Sequence, residues 1–96
     1  MSTRGIYRYD MDCGRMGNVE ALFAATDEEV AAIIGKRAYF GEILGKHSEI
    51  SGTVEASEIR LVSDEPADVA VFDRLDLAAG YNPISAVEAA DEMANG

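Results

Sequence analysis

The chain is poor in the residues that most small catalytic and structural sites are built from. Its 96 residues hold one Cys, one His, no Trp and two Pro. One cysteine cannot close a disulfide within the chain, so a disulfide scaffold is excluded. Cys13 and His47 are the only soft metal ligands, and a structural zinc site needs four. Bases are scarce too: 8 Lys+Arg stand against 18 Asp+Glu, for a net charge of −10. A direct grip on nucleic acid needs clustered Lys and Arg, so that class is disfavoured. No apolar run reaches the roughly 18 residues a membrane span needs. Neither GxGxxG nor GxxxxGK[ST] occurs among the nine glycines, which excludes nucleotide binding through those motifs. No cofactor and no catalytic residue is expected.

What is present fits one small domain spanning residues 1–96. Apolar residues make up 48%, but 15 of them are Ala, so the core is expected to be modest. The charge is uneven. Residues 1–54 hold 8 acids and 6 bases, net −2, whereas residues 55–96 hold 10 acids and 2 bases, net −8. The acidity belongs to the C-terminal half. A solvated, solubilising surface is the plain reading of it. The sharper one is a surface that occupies a basic site on a partner.

Periodicity places the elements. Residues 4–13 alternate, with Tyr7, Tyr9 and Met11 on one side, and read as a strand. A turn with two glycines, Gly14 and Gly17, leads to a second strand from Val19 to Ala25, making a hairpin. Thr26 and Glu29 form a capping box at the start of a helix whose stripe is Val30, Ile33 and Ile34, and Gly35 ends it. Ala38 to Leu44 has apolar residues on both sides and reads as the central strand. Glu49 to Glu55 alternates, and Ile59 to Val62 is a short strand. Pro66 opens a second helix along Val69, Phe72 and Leu75, stopped by Gly80, and Asn82-Pro83 starts a third. The order is ββαβββαα. It predicts an α+β domain, a mostly antiparallel sheet of four to five strands with two to three helices lying on one face.

Three constellations could carry chemistry. Asp10-x-Asp12 offers two carboxylates on one strand face to a hard cation, although outward acids at strand ends are common and no metal is expected. Lys46, His47 and Ser48 follow Gly45 and form a possible contact loop. Asp64, Glu65, Asp68, Asp73, Asp76, Glu88, Asp91 and Glu92 form a candidate partner-binding surface, the last three at i, i+3 and i+4 of a helix.

The segment Tyr39-Phe40-Gly41-Glu42-Ile43-Leu44-Gly45-Lys46-His47-Ser48-Glu49, with Gly80-Tyr81-Asn82-Pro83, resembles small bacterial and prophage proteins of no assigned activity. At the level of size and acidity the chain is similar to phage-encoded inhibitors such as anti-CRISPR proteins. That likeness implies a protein that acts without catalysis, in the cytoplasm of a bacterial host cell, by covering a nucleic-acid-binding surface of a complex such as a CRISPR effector. The leading expectation is therefore a non-enzymatic acidic interaction protein whose partner is a protein with a basic surface. The alternative is a small structural or assembly module, a homodimer formed through the aromatic side of the first strand at Tyr7 and Tyr9. An enzyme using Asp10, Asp12 or His47 as acid or base ranks behind both.

Overall fold

Two nine-residue strands, β1 (Arg4–Asp12) and β2 (Asn18–Thr26), form the backbone of the domain. They pair antiparallel from Arg4↔Thr26 to Asp12↔Asn18. A computed structural model describes residues 3–41 and 49–95. The hairpin closes through a 3-10 turn at Gly14–Met16. There the Cys13 N–H donates to the Gly17 carbonyl at 2.9 Å and the Gly14 N–H to Asp12 Oδ1 at 2.7 Å. Alternation sends Tyr7, Tyr9, Met11, Val19, Ala21, Phe23 and Ala25 to one face of the hairpin. Ile6, Leu22 and Ala24 go to the other.

Helix α1 (Asp27–Ile33) starts on the capping box that Thr26 and Glu29 predict. The Glu29 N–H donates to Thr26 Oγ1 at 3.0 Å, and the Thr26 N–H donates to Glu29 Oε1 at 2.9 Å. Gly35, with φ of 82°, then turns the chain, and its N–H reaches the Val54 carbonyl at 2.7 Å. Strands β3 (Arg37–Gly41) and β4 (Ile50–Thr53) pair with each other in a two-stranded sheet of their own. The strand expected at the centre is thus not part of the main sheet. Its apolar residues on both faces have another cause. Phe40 stacks on Tyr9 with ring centroids 6.1 Å apart, while helix α3 (Pro83–Asn95) packs along β3.

Strand β5 (Ile59–Ser63) lies at one edge of the main sheet, antiparallel to β1, and the bulge between them leaves Val62 unpaired. Helix α2 (Pro66–Arg74) follows. It ends well before Gly80. The Leu77 N–H donates to the Phe72 carbonyl at 3.1 Å and the Asp76 N–H to the Asp73 carbonyl at 3.2 Å. These are the two bonds of a Schellman cap, with Asp76 at φ of 52° in the place usually held by glycine. Gly80 serves a different purpose. It belongs to a two-residue strand, β6 (Ala79–Gly80), that pairs with β2. A Cβ there would sit 2.1 Å from the Glu20 carbonyl oxygen, so only glycine fits.

The result is an α+β domain of order ββαβββαβα, with a four-stranded sheet β5-β1-β2-β6 beside the β3-β4 pair. The helices do not share one face. Val87 and Ala86 of α3 and Ile33 of α1 join Tyr9, Phe23 and Val19 in the main cluster, whereas Val69 and Phe72 of α2 pack on Ile6 from the opposite side. Strand β1 is flanked by β2 and β5, and Tyr7 and Tyr9 are interior residues. They therefore provide no aromatic surface for self-association. Among the described residues no helix is long and apolar enough to cross a membrane.

Candidate functional site

All eight candidate acids are solvent-exposed, but they do not form one array. Asp64 and Glu65 precede α2, Asp68 and Asp73 lie on it, and Asp76 sits in its cap. Glu88, Asp91 and Glu92 lie on α3, on the other side of the sheet. A single flat partner surface cannot cover both sets.

The α2 set is further sorted by its bonds. Asp73 receives both guanidinium nitrogens of Arg4, one of them at 3.1 Å. Arg4 holds the Asp73 carboxyl below the usual aspartate range, and Asp73 in turn raises Arg4. That carboxylate clamps α2 to β1. Asp68 accepts from the Ser63 hydroxyl at 2.6 Å, while Ser63 Oγ accepts the Glu65 N–H at 3.2 Å. Asp64, Glu65 and Asp76 are in no ion pair among the described residues. Along the same helix and its C-terminal cap, Val71, Leu75 and Leu77 are exposed, Leu75 by 57%. This side therefore combines carboxylates with unburied apolar side chains, the composition of an interface with an apolar centre and a polar rim.

A second acidic place lies at the far end of β1, away from Arg4. A groove of about 410 Å³ is lined by Met11, Asp12, Cys13, Ile50–Thr53, Glu55 and Glu58. Two of its carboxylates are fixed by backbone donors. Asp12 accepts from Gly14, as above, and Glu58 Oε1 accepts the Glu55 N–H at 2.9 Å. The Glu58 N–H in turn donates to the Glu55 backbone carbonyl at 3.0 Å. Gly52 lets Met11 close in, since a Cβ there would lie 3.2 Å from the Met11 sulfur.

In the core, Tyr9 is 0% exposed and its hydroxyl has no hydrogen-bond partner among the described residues. A buried unsatisfied hydroxyl costs about 1–3 kcal/mol. Burial, then Glu58, then Cys13, raise its pKa above the ordinary tyrosine value. Burial likewise raises the Cys13 thiol, which works against the thiolate a nucleophile needs.

Asp12, Glu55 and Glu58 were not among the candidate partner-binding acids. Asp12 was legible only as half of Asp10-x-Asp12, and Glu55-x-x-Glu58 carried a signal in its three-residue capping-box spacing. No group of three or more His, Cys, Asp or Glu among the described residues is placed to hold a metal ion. Lys46, His47 and Ser48, the expected contact loop, lie outside the described residues, as does the end of the strand expected to reach Leu44. Searches with the chain against protein-family models, curated proteins and solved structures find no match in any of the three.

Proposed function

We propose that this chain is a non-enzymatic interaction protein that docks the α2 side of its sheet onto a basic surface of a nucleic-acid-handling partner. One observation carries the reading: Asp68 and exposed Val71 and Leu75 recur at i, i+3 and i+7 along α2 and its cap, with Asp64 and Glu65 ahead of the helix and Asp76 and exposed Leu77 just past it. Opposite potentials speed encounter and fix register. Carboxylate oxygens accept from Arg forks as phosphates do. The apolar side chains add area that becomes buried on docking. In its finer form the reading is a phage-encoded inhibitor of the anti-CRISPR kind acting in a bacterial cytoplasm; size and acidity support that form.

The test uses two variants of equal charge change. D64N/E65Q/D68N neutralises three acids at α2, and E88Q/D91N/E92Q neutralises three on α3. Binding of each is measured against purified bacterial nucleic-acid-binding complexes, CRISPR effectors included. The first variant is expected to lose about tenfold or more in affinity and the second to stay near the parent. Equal losses, or no binding by the parent, overturn the reading.

A self-associating module remains the second reading, now on different residues. Leu61 and Val62 are exposed on the edge strand β5. Sedimentation across a concentration series separates the two readings: a tight dimer with no affinity for basic complexes favours the second.

A further inference from the structure

The two outer strands of the main sheet are protected unequally. The β5 edge carries Arg60, a bulge at Val62 and flanking Glu58 and Asp64, all of which guard against edge pairing. The β6 edge carries none of these. Residues 77–81 are exposed without a break, Leu77 by 48% and Tyr81 by 41%. No charged residue occurs in 77–87, in a chain of which 27% is charged. Among the described residues, β6 pairs with β2 on one side and ends the sheet on the other. The Tyr81 N–H donates to the Glu20 carbonyl at 3.0 Å and Ala79 stands opposite Leu22, so these two residues turn their backbone groups inward. Alternation leaves those of Ala78 and Gly80 on the outer edge. Beside them Leu22, Ala79, Gly80 and Tyr81 border a hollow of about 390 Å³.

We propose that this edge pairs with the same edge of a second copy, antiparallel, about a two-fold axis at Ala79. In that register the sequence is complementary to itself. Ala79 meets Ala79, Ala78 meets Gly80, and Leu77 of each copy meets Tyr81 of the other. The large side chains thus stand opposite each other, and Leu77 of the second copy lies beside the hollow that Tyr81 borders. Moving the axis to Ala78 or Gly80 sets Leu77 or Tyr81 against Ala79 instead. The backbone agrees, because Ala78 and Gly80, the residues left outward, exchange hydrogen bonds across the seam. Asp76 meets Asn82, so no two carboxylates confront each other. A charged partner finds nothing of either sign to hold here, whereas a strand of the same pattern does, and the chain itself supplies one. So short a seam buries less than the roughly 1,200–2,000 Å² of a standard interface, which makes the dimer weak, with a Kd of about 0.1–1 mM. The net charge of −10 on each copy opposes association, so added salt strengthens it. Docking of α2 on a basic partner has the reverse dependence, and Leu77 is the one residue the two surfaces share.

Sedimentation equilibrium of the whole chain, up to about 1 mM and at about 50 mM and about 500 mM salt, reads the association. A monomer–dimer equilibrium is expected, at least about threefold tighter at the higher salt. Over the same concentrations the amide NMR shifts are expected to centre on Ala78, Ala79 and Gly80. Because Ala79 meets itself, a charge placed there meets its own copy. Ala79→Glu and Ala79→Lys are each expected to weaken the dimer about fivefold or more, and an equimolar mixture of the two to recover it, since Glu then faces Lys. Ala79 is exposed, so neither charge is buried in the monomer. Should a variant fail to fold, the concentration-dependent shifts of the parent still test the seam. D64N/E65Q/D68N leaves the seam intact and is expected to dimerise at least as well as the parent, so this inference and the α2 reading fail separately. A monomer at every concentration in high salt overturns the inference. So do shifts centred on Ile59–Ser63, and a variant mixture that associates no better than its components.

Discussion

The two faces of the four-stranded sheet are built on different scales. One carries the main cluster, in which Tyr9, Val19, Phe23 and Val54 are almost wholly shielded and α1, α3 and the β3-β4 pair all contribute. The other carries α2 on a cluster of three buried residues, Ile6, Val69 and Phe72, with Leu22 and Ala24 at its margin. The first face holds the domain together. The second holds one helix, and does so with an ion pair and a hydroxyl bond as well as with apolar area. The lesson is that α2 is the helix held by the smaller cluster, and its acids and exposed apolar side chains are left to contact something else. Elements of low local stability are where binding surfaces are commonly drawn from.

Four changes would break or sharpen this contrast. Phe23→Ala opens the main cluster and is expected to destabilise the whole domain by about 3–5 kcal/mol, read as a loss across the full unfolding transition. Phe72→Ala should cost about 3 kcal/mol, the low end for that substitution, because the site collapses toward solvent. Its signature is local: hydrogen exchange would speed in α2 while β1 and β2 keep their protection. Equal exchange everywhere would show that the two faces unfold as one. Gly80→Ala forces a side chain against the Glu20 carbonyl and is expected to cost about 1–3 kcal/mol. Loss of the β6–β2 bonds without loss of the β1–β2 ladder would mark it in the same exchange experiment.

The smallest effect expected is that of Asp73→Asn. In the folded chain Asp73 titrates below its ordinary value because of Arg4, so its contribution is present above the range of a free aspartate and disappears as pH falls through the lowered value. The variant should melt slightly below the parent near pH 7 and together with it at about pH 2. A gap that persisted in acid would assign the effect to packing instead.

Much of the fold was legible because the local rules agree with the global answer. The β1–β2 alternation, the Thr26 and Glu29 box and the Asn82-Pro83 start all appear as expected; Asn82 Oδ1 accepts the Ile84 N–H at 2.9 Å. The misplacements have physical causes. Apolar residues on both faces of β3 signal burial, and burial between a sheet and a helix leaves the same trace as burial within a sheet. The end of α2 was hidden because an aspartate took the left-handed position, which cannot be told from an ordinary surface acid in sequence. The separation of α2 from α3 by the sheet depends on which face each helix covers, and charge counts along the chain carry no such information. For the same reason the groove was missed: Asp12, Glu55 and Glu58 are brought together only when β1 and the turn before β5 meet.

The most direct test of the central claim is the slope of affinity against salt for a basic partner complex. Parent and E88Q/D91N/E92Q are expected to lose affinity steeply and in parallel as salt rises, while D64N/E65Q/D68N gives a flatter line. Three parallel lines would mean that carboxylates beside α2 make no privileged contact, and would contradict the account.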